Sequence, residues 1–178
     1  LVDKLKDIGV KVFGPTQSAA QLESSKEFTK KLCSKYNIPT AKYGVFDNLK
    51  GAKSYIKKMR PPYVIKADGL AAGKGVVLPE TLDEALNELE ELFSGKFGNA
   101  SSKVLIEEFM EGQEASFFAI SDGVNILPLI AAQDHKRAFD GDKGPNTGGM
   151  GAYSPTPVFN DEIQKVVMNK IITPTVEG

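Results

Sequence analysis

Apolar positions along the chain recur in two periods, and the switches between them mark out the elements. Val2, Leu5 and Ile8 stand three apart and predict a short helix; Val10, Val12 and Phe13, ahead of Gly14-Pro15, predict a strand. The pair reads as half of a βαβ unit, with its first strand expected upstream of Leu1. Ser24 to Glu27 has the spacing of a capping box, and Phe28, Leu32 and Tyr36 follow four apart, which predicts a helix from about 25 to 36. Asn37-Ile38-Pro39 ends it, because the residue before a proline is driven out of the helical region.

A strand, helix, strand succession comes next. Tyr43 to Phe46 is extended, Leu49, Ala52, Tyr55, Ile56 and Met59 share one helical face, and Tyr63-Val64-Ile65 is extended again. Thr81 to Glu84 forms another capping box, opening a helix whose apolar face is Leu82, Ala85, Leu86, Leu89 and Phe93. The glycine-rich stretch Asp68 to Gly75 precedes Val76-Val77-Leu78, so it predicts strand, loop, strand. Val104 to Ile106, Ala115 to Ile120 and Asn125 to Ala131 read as three strands, Phe139 to Pro157 as a long loop, and Asp161 to Ile172 as a helix.

Composition narrows the class. Hydrophobic residues at 41% and charged residues at 25% belong to a folded globular chain and exclude disorder. A balance of 22 Lys and Arg against 23 Asp and Glu leaves no basic field for nucleic acid or anionic lipid, so any anion must meet a local cluster. No apolar run approaches the ~20 residues of a membrane span. The single cysteine, Cys33, excludes a disulfide framework and fits a reducing, cytoplasmic compartment; beside Leu32 it reads as core. No signal peptide is expected, and a start at Leu1 suggests a piece of a longer chain.

Asp68 to Gly75 (DGLAAGKG) carries Gly69, Gly73 and Gly75, which let backbone amides approach an anion, and Lys74, which adds a charge. Three residues between the glycines and a glycine after the lysine break the Walker A spacing, leaving either a hairpin turn or a phosphate cradle. Lys66, on a strand otherwise suited to the core, either snorkels outward or faces a bound anion. Glu107 to Glu114 is either a charged connector or an adenine edge made of main chain, with Glu114 able to accept ribose hydroxyls. Asp134-His135-Lys136-Arg137 sets three potential cations beside an aspartate, directly before a glycine-rich loop, a compact site for phosphate or carboxylate. The mixture Asn146, Thr147, Gly148, Gly149 and Met150 favours an ordered binding loop over a linker.

In order along the chain, Gly14-Pro15-Thr16, Ala20 to Lys26, Val64 to Val76, Ile106 to Phe109, Gln133 to Arg137 and Gly144 to Pro155 resemble the phosphoribosylamine-glycine ligases, ATP-grasp enzymes of purine synthesis, over essentially the whole length. The resemblance implies an α+β (α/β) chain of ATP-grasp fold. It implies the tail of an amino-terminal domain with its linker helix over 1–36, a lid subdomain over 37–107 and a truncated second subdomain with the substrate loop over 108–178. It implies that Lys26 and Lys66 contact ATP and that Gly69, Gly73, Lys74 and Gly75 belong to a mobile loop over the phosphates. Glu107, Glu108 and Met110 would form the adenine edge and Glu114 would hold the ribose. Lys66, Asp134, His135, Lys136 and Arg137 would be catalytic, and Asn146 to Met150 would bind substrate. The implied reaction forms glycyl phosphate from ATP and glycine and passes the glycyl group to phosphoribosylamine, in a cytoplasmic monomer without nucleic-acid or membrane partners. The implied magnesium ligands lie past Gly178, so the chain by itself is expected to bind nucleotide without turnover. Another ATP-grasp carboxylate-amine ligase and a nucleotide-binding module without turnover are the alternatives.

Overall fold

A computed structural model describes residues 1–70, 75–141 and 143–178, the side chains of 99, 145 and 146 excepted. Contacts divide the chain into two units, Leu1–Lys31 with Thr40–Met110 and Leu32–Pro39 with Glu111–Gly178.

The first unit begins with helices α1 (Val2–Asp7) and α2 (Gln21–Ser24) and the first turns of α3 (Lys26–Lys35). Strand β1 (Tyr43–Phe46), helix α4 (Leu49–Ile56), strands β2 (Tyr63–Ala67) and β3 (Val76–Val77), helix α5 (Leu82–Phe93), a 3-10 turn (Gly98–Ser101) and strand β4 (Val104–Glu108) complete it. The sheet runs β1-β4-β2-β3 with every neighbouring pair antiparallel. Period-two alternation decides what each face holds. Tyr63, Ile65, Ala67, Val104 and Ile106 pack with Ala52 and Ile56 of α4 and Ala85, Leu89 and Leu92 of α5 into one buried cluster. Val64, Lys66, Leu105 and Glu107 therefore point to the opposite face. Asn48 caps α4 by accepting the Gly51 amide at 2.8 Å, and Thr81 and Glu84 complete the reciprocal capping box that the sequence predicts for α5.

The second unit is built of short pieces. Strands β5 (Ala119–Ser121), β6 (Ile126–Pro128), β7 (Gln133–Asp134), β8 (Arg137–Phe139), β9 (Lys143–Asn146) and β10 (Ala152–Tyr153) pair as β5 with β6, β7 with β10 and β8 with β9. Helix α6 (Asp161–Val167), capped by Asn160, continues through a π-helical stretch, Met168–Ile172, into α7 (Thr173–Glu177).

Four expectations are corrected. Val10 to Phe13 form no strand, because the Val10 amide closes α1 on the Leu5 carbonyl at 2.9 Å and no strand pairs with the segment among the described residues. The cap of α3 is Ser25, not Ser24: its hydroxyl accepts the Phe28 amide at 3.1 Å, while the Glu27 amide goes to Asp68 and the Glu27 carboxylate to Lys103 and Lys31. Those two lysines hold the Glu27 carboxyl below the usual carboxylate range. The loop from Phe139 to Pro157 contains β9 and β10. The last helix runs five residues beyond Ile172, to Glu177, by way of the π-helical stretch Met168–Ile172.

Candidate nucleotide site

On the face of the sheet opposite the two helices, the first unit holds a cavity of about 980 Å³, within the range of ligand sites. Its polar end is made by Lys26 and Lys30 of α3, Lys66 of β2 and Glu107 of β4; Leu22, Ala41, Val76 and Met110 supply apolar surface. The strand register explains the central pair. Val64 stands opposite Glu107 and Lys66 opposite Leu105, so Lys66 and Glu107 are diagonal neighbours, within reach of long side chains. The Lys66 Nζ donates to Glu107 Oε2 at 2.8 Å, and Lys30 pairs with Glu107 Oε1 at 3.3 Å.

Glu107 and Lys30 are buried, at 5% and 7% exposure, while the Lys66 side chain keeps 26%. Lys30 also donates to Thr40 Oγ1 at 2.7 Å and the Ala41 carbonyl at 3.2 Å, and its ammonium lies 5.3 Å from the centre of the Tyr43 ring. Two ammonium groups share one carboxylate, which leaves an excess positive charge, and Lys66 is the member open to solvent. Burying ions costs several kcal/mol unless each is paired. The arrangement satisfies that condition and still presents a cation to an incoming anion.

Lys26 lines the same cavity, but its three donors already meet the carbonyls of Ala67, Asp68 and Gly69 at 2.7, 3.2 and 3.3 Å. Burial pushes its ammonium below the ordinary lysine value; the Asp68 carboxylate opposes that shift and the charge on Lys66 adds to it. Gly69 has a steric reason to be glycine: a Cβ there would come within 3.0 Å of the Ala100 backbone.

Of the residues the sequence pointed to, Lys26, Lys66, Gly69, Gly75, Glu107 and Met110 share this cavity. Gly73 and Lys74 lie outside the described residues. Glu108 turns away from the cavity: its carboxylate accepts the Lys42 amide at 2.8 Å, and its own amide donates to the Lys42 carbonyl. Lys30 was not anticipated, although it stands one helical turn after Lys26, the spacing that puts two side chains on one face.

The remaining candidates belong to the second unit and are drawn together within it. The Thr147 amide and hydroxyl both donate to the Lys136 carbonyl, at 2.7 and 2.9 Å, and the Met150 amide to that of His135 at 2.7 Å. The Gly149 amide donates to Thr147 Oγ1, the exposed His135 ring stacks on Tyr153 at 5.4 Å, and Glu114 pairs with Lys136. Arg137 donates to the Gly144 carbonyl at 2.6 Å; Gly144 has φ +83°, and a Cβ there would clash with the Phe139 ring. Residues 134–137 and 146–150 thus form one zipped structure. Asn146 takes part through its backbone, opposite Arg137 in the β8–β9 ladder.

The four-stranded antiparallel sheet backed by two helices belongs to an ATP-grasp architecture. The biotin carboxylase domain of Hydrogenobacter thermophilus 2-oxoglutarate carboxylase, crystallised with MgADP, shares that fold at a TM-score of 0.78 and 17% identity, over 98% of this chain and 38% of its own. The phosphoribosylamine-glycine ligase of Thermotoga maritima superposes at 0.82 with 40% identity, over 93% of this chain and 42% of its own. That of Brucella melitensis is 56% identical over 178 residues, the whole of this chain and 42% of its own length. The family model for phosphoribosylglycinamide synthetase, ATP-grasp (A) domain, matches residues 24–178, and the chain belongs to that family. It spans 42% of the length of the two ligases.

Proposed function

We propose that this chain provides the ATP-binding part of a ligase that joins glycine to 5-phosphoribosylamine through glycyl phosphate, giving glycinamide ribonucleotide, ADP and phosphate in purine biosynthesis. The observation that carries this reading is the cavity in which Lys30 and Lys66 share the buried Glu107 beneath an apolar wall. An apolar wall suits a flat base, and a partly exposed lysine suits a phosphate tail. Family membership supports the choice of glycine and phosphoribosylamine.

In this reading ATP supplies the phosphoryl group, and the chain's residues bind and orient it. Lys66 neutralises phosphate charge, Lys30 and Glu107 hold Lys66 in place, and Met110 covers the base, with main chain around Glu108 and Met110 selecting adenine. Catalysis of this kind rests on positioning and on cations set where charge develops. Magnesium would neutralise the phosphates further. Among the described residues no group of three or more His, Cys, Asp or Glu comes together to hold a metal ion, so no magnesium ligand is assigned to them. In the second unit, Asp134 to Arg137 with Asn146 to Met150 serve the glycine and phosphoribosylamine side, and Glu114 the ribose. We place the protein in the cytoplasm as a monomer; the buried thiol of Cys33 suits a reducing compartment, and no helix of the described residues is long and apolar enough to cross a membrane.

The test is ADP formation by the intact protein with ATP, magnesium and phosphoribosylamine, with and without glycine. Glycine-dependent ADP release is expected, with GTP competing poorly. Release with another small carboxylate in place of glycine identifies a different carboxylate-amine ligase; nucleotide binding with no ADP under any of these conditions identifies a module without turnover.

A further inference from the structure

We infer that Asp68 is a positioning residue for the lysine–carboxylate cluster: it ties the end of β2 to the first turn of α3 and so sets where Lys30 meets Glu107. The inference rests on the reading of the cavity as a nucleotide site. Asp68 follows β2 directly, and its carboxylate faces the start of α3 rather than the cavity. Its Oδ1 accepts the Glu27 amide at 2.7 Å, and its Oδ2 accepts the Ser25 hydroxyl at 3.1 Å. The same hydroxyl caps the helix by accepting the Phe28 amide at 3.1 Å. From the other side, the Lys26 ammonium holds the carbonyls of Ala67, Asp68 and Gly69. Two oppositely charged side chains thus cross between the same two segments, each bonded to the backbone or cap of the other.

Asp68 is itself held. Its amide donates to the Lys103 carbonyl at 3.0 Å, and the Gly69 amide to that of Ala100 at 3.1 Å, so the end of β2 is fixed from two sides. A carboxylate at a helix N-terminus satisfies orphan amides and lies at the positive end of the dipole. Lys30 stands one turn further along a helix with ~1.5 Å rise per residue, too short a lever for the first turn to shift without moving Lys30. Lys30 is buried and bonded to four partners, Thr40, Ala41, Glu107 and the Tyr43 ring, and such a group tolerates little displacement.

The experiment is a double-mutant cycle on the intact protein, reading ATP affinity by calorimetry and amide exchange at Glu27. Asp68→Ala is expected to accelerate Glu27 exchange and to raise the ATP Kd about tenfold, within the coupling seen for residues of one hydrogen-bond network. Asp68→Asn keeps an acceptor for the Glu27 amide and is expected to restore the Kd to within about threefold of the unaltered protein. Because Asp68 acts through Lys30, adding D68A to Lys30→Met is expected to weaken binding less than twofold beyond K30M alone, an outcome that general loosening of the fold would not produce. If circular dichroism shows D68A unfolded, Ser25→Ala takes its place in the cycle, with a Kd raised about threefold. Unchanged Glu27 exchange in D68A, a Kd within twofold of the unaltered protein, or full additivity with K30M overturns the inference while leaving the nucleotide reading intact. Absence of ATP binding by the unaltered protein overturns the nucleotide reading, and this inference with it.

Discussion

The two units place their candidate site residues by different physics. In the first, Lys66 and Glu107 sit on central strands whose other face is closed by α4 and α5, and the cavity is a by-product of a packed sheet. In the second, the candidates lie on pairs of short strands and the turns between them, held by backbone hydrogen bonds, while Phe118, Val124, Leu127 and Ile130 stand exposed at 54%, 86%, 61% and 70%. A site on a packed sheet depends on the core behind it. A site on zipped loops depends on a few local bonds and tolerates change in its apolar neighbours.

Core truncation separates the two units most sharply. Leu89→Ala, at 0% exposure in the first unit, is expected to lower stability by about 2–5 kcal/mol, the range for buried leucines, whereas Leu127→Ala should stay within about 0.5 kcal/mol. Urea unfolding of both variants measures this, and equal losses would erase the contrast. Removing the buried carboxylate comes next: Glu107→Ala leaves Lys30 and Lys66 without their shared partner and is expected to cost about 3 kcal/mol in the same assay. Lys66→Ala acts on binding, weakening ATP affinity by about 1.5–3 kcal/mol in calorimetry, the range for a charged hydrogen bond; an unchanged affinity removes Lys66 from the site.

The smallest effect belongs to the second unit. Asp122, in the turn between β5 and β6, is held down to about 2 by hydrogen bonds from the Asn125 side chain and backbone and the Val124 amide. Because the folded value is depressed, its contribution is fully present above the ordinary carboxylate value of 3.8 and is lost as pH falls through about 2. An NMR titration of Asp122 tests this. A midpoint near 3.8 would show that the turn does not hold its carboxylate.

Much of the first unit was legible from local pattern. The capping box at Thr81, the apolar face of α5 and the strands on either side of the glycine-rich segment all hold, because they depend on neighbours close in sequence. In the second unit the pattern reached less far. Strands of two to four residues carry little periodicity, so β9 and β10 were hidden in a glycine-rich stretch, and what makes them strands is pairing, β9 with the neighbouring β8 and β10 with β7 further back in the chain.

Pairs of like neighbours show where sequence alone stops. Lys30 and Lys31 are adjacent on α3, yet the first side chain is 9% exposed and bound to Glu107, while the second is 70% exposed on the helix surface. Glu107 and Glu108 are adjacent on β4, with side chains 6% and 40% exposed on opposite faces. Ser25 rather than Ser24 caps α3, because Asp68, more than forty residues away, arrives to receive its hydroxyl. Sequence by itself determined most helices and strands of the first unit, the family resemblance and the kinds of residue at the site, since those follow from spacing and residue chemistry. Which lysine and which glutamate face the cavity was decided only by the tertiary structure, because that depends on the register of β2 against β4 and on the turn by which α3 meets the sheet.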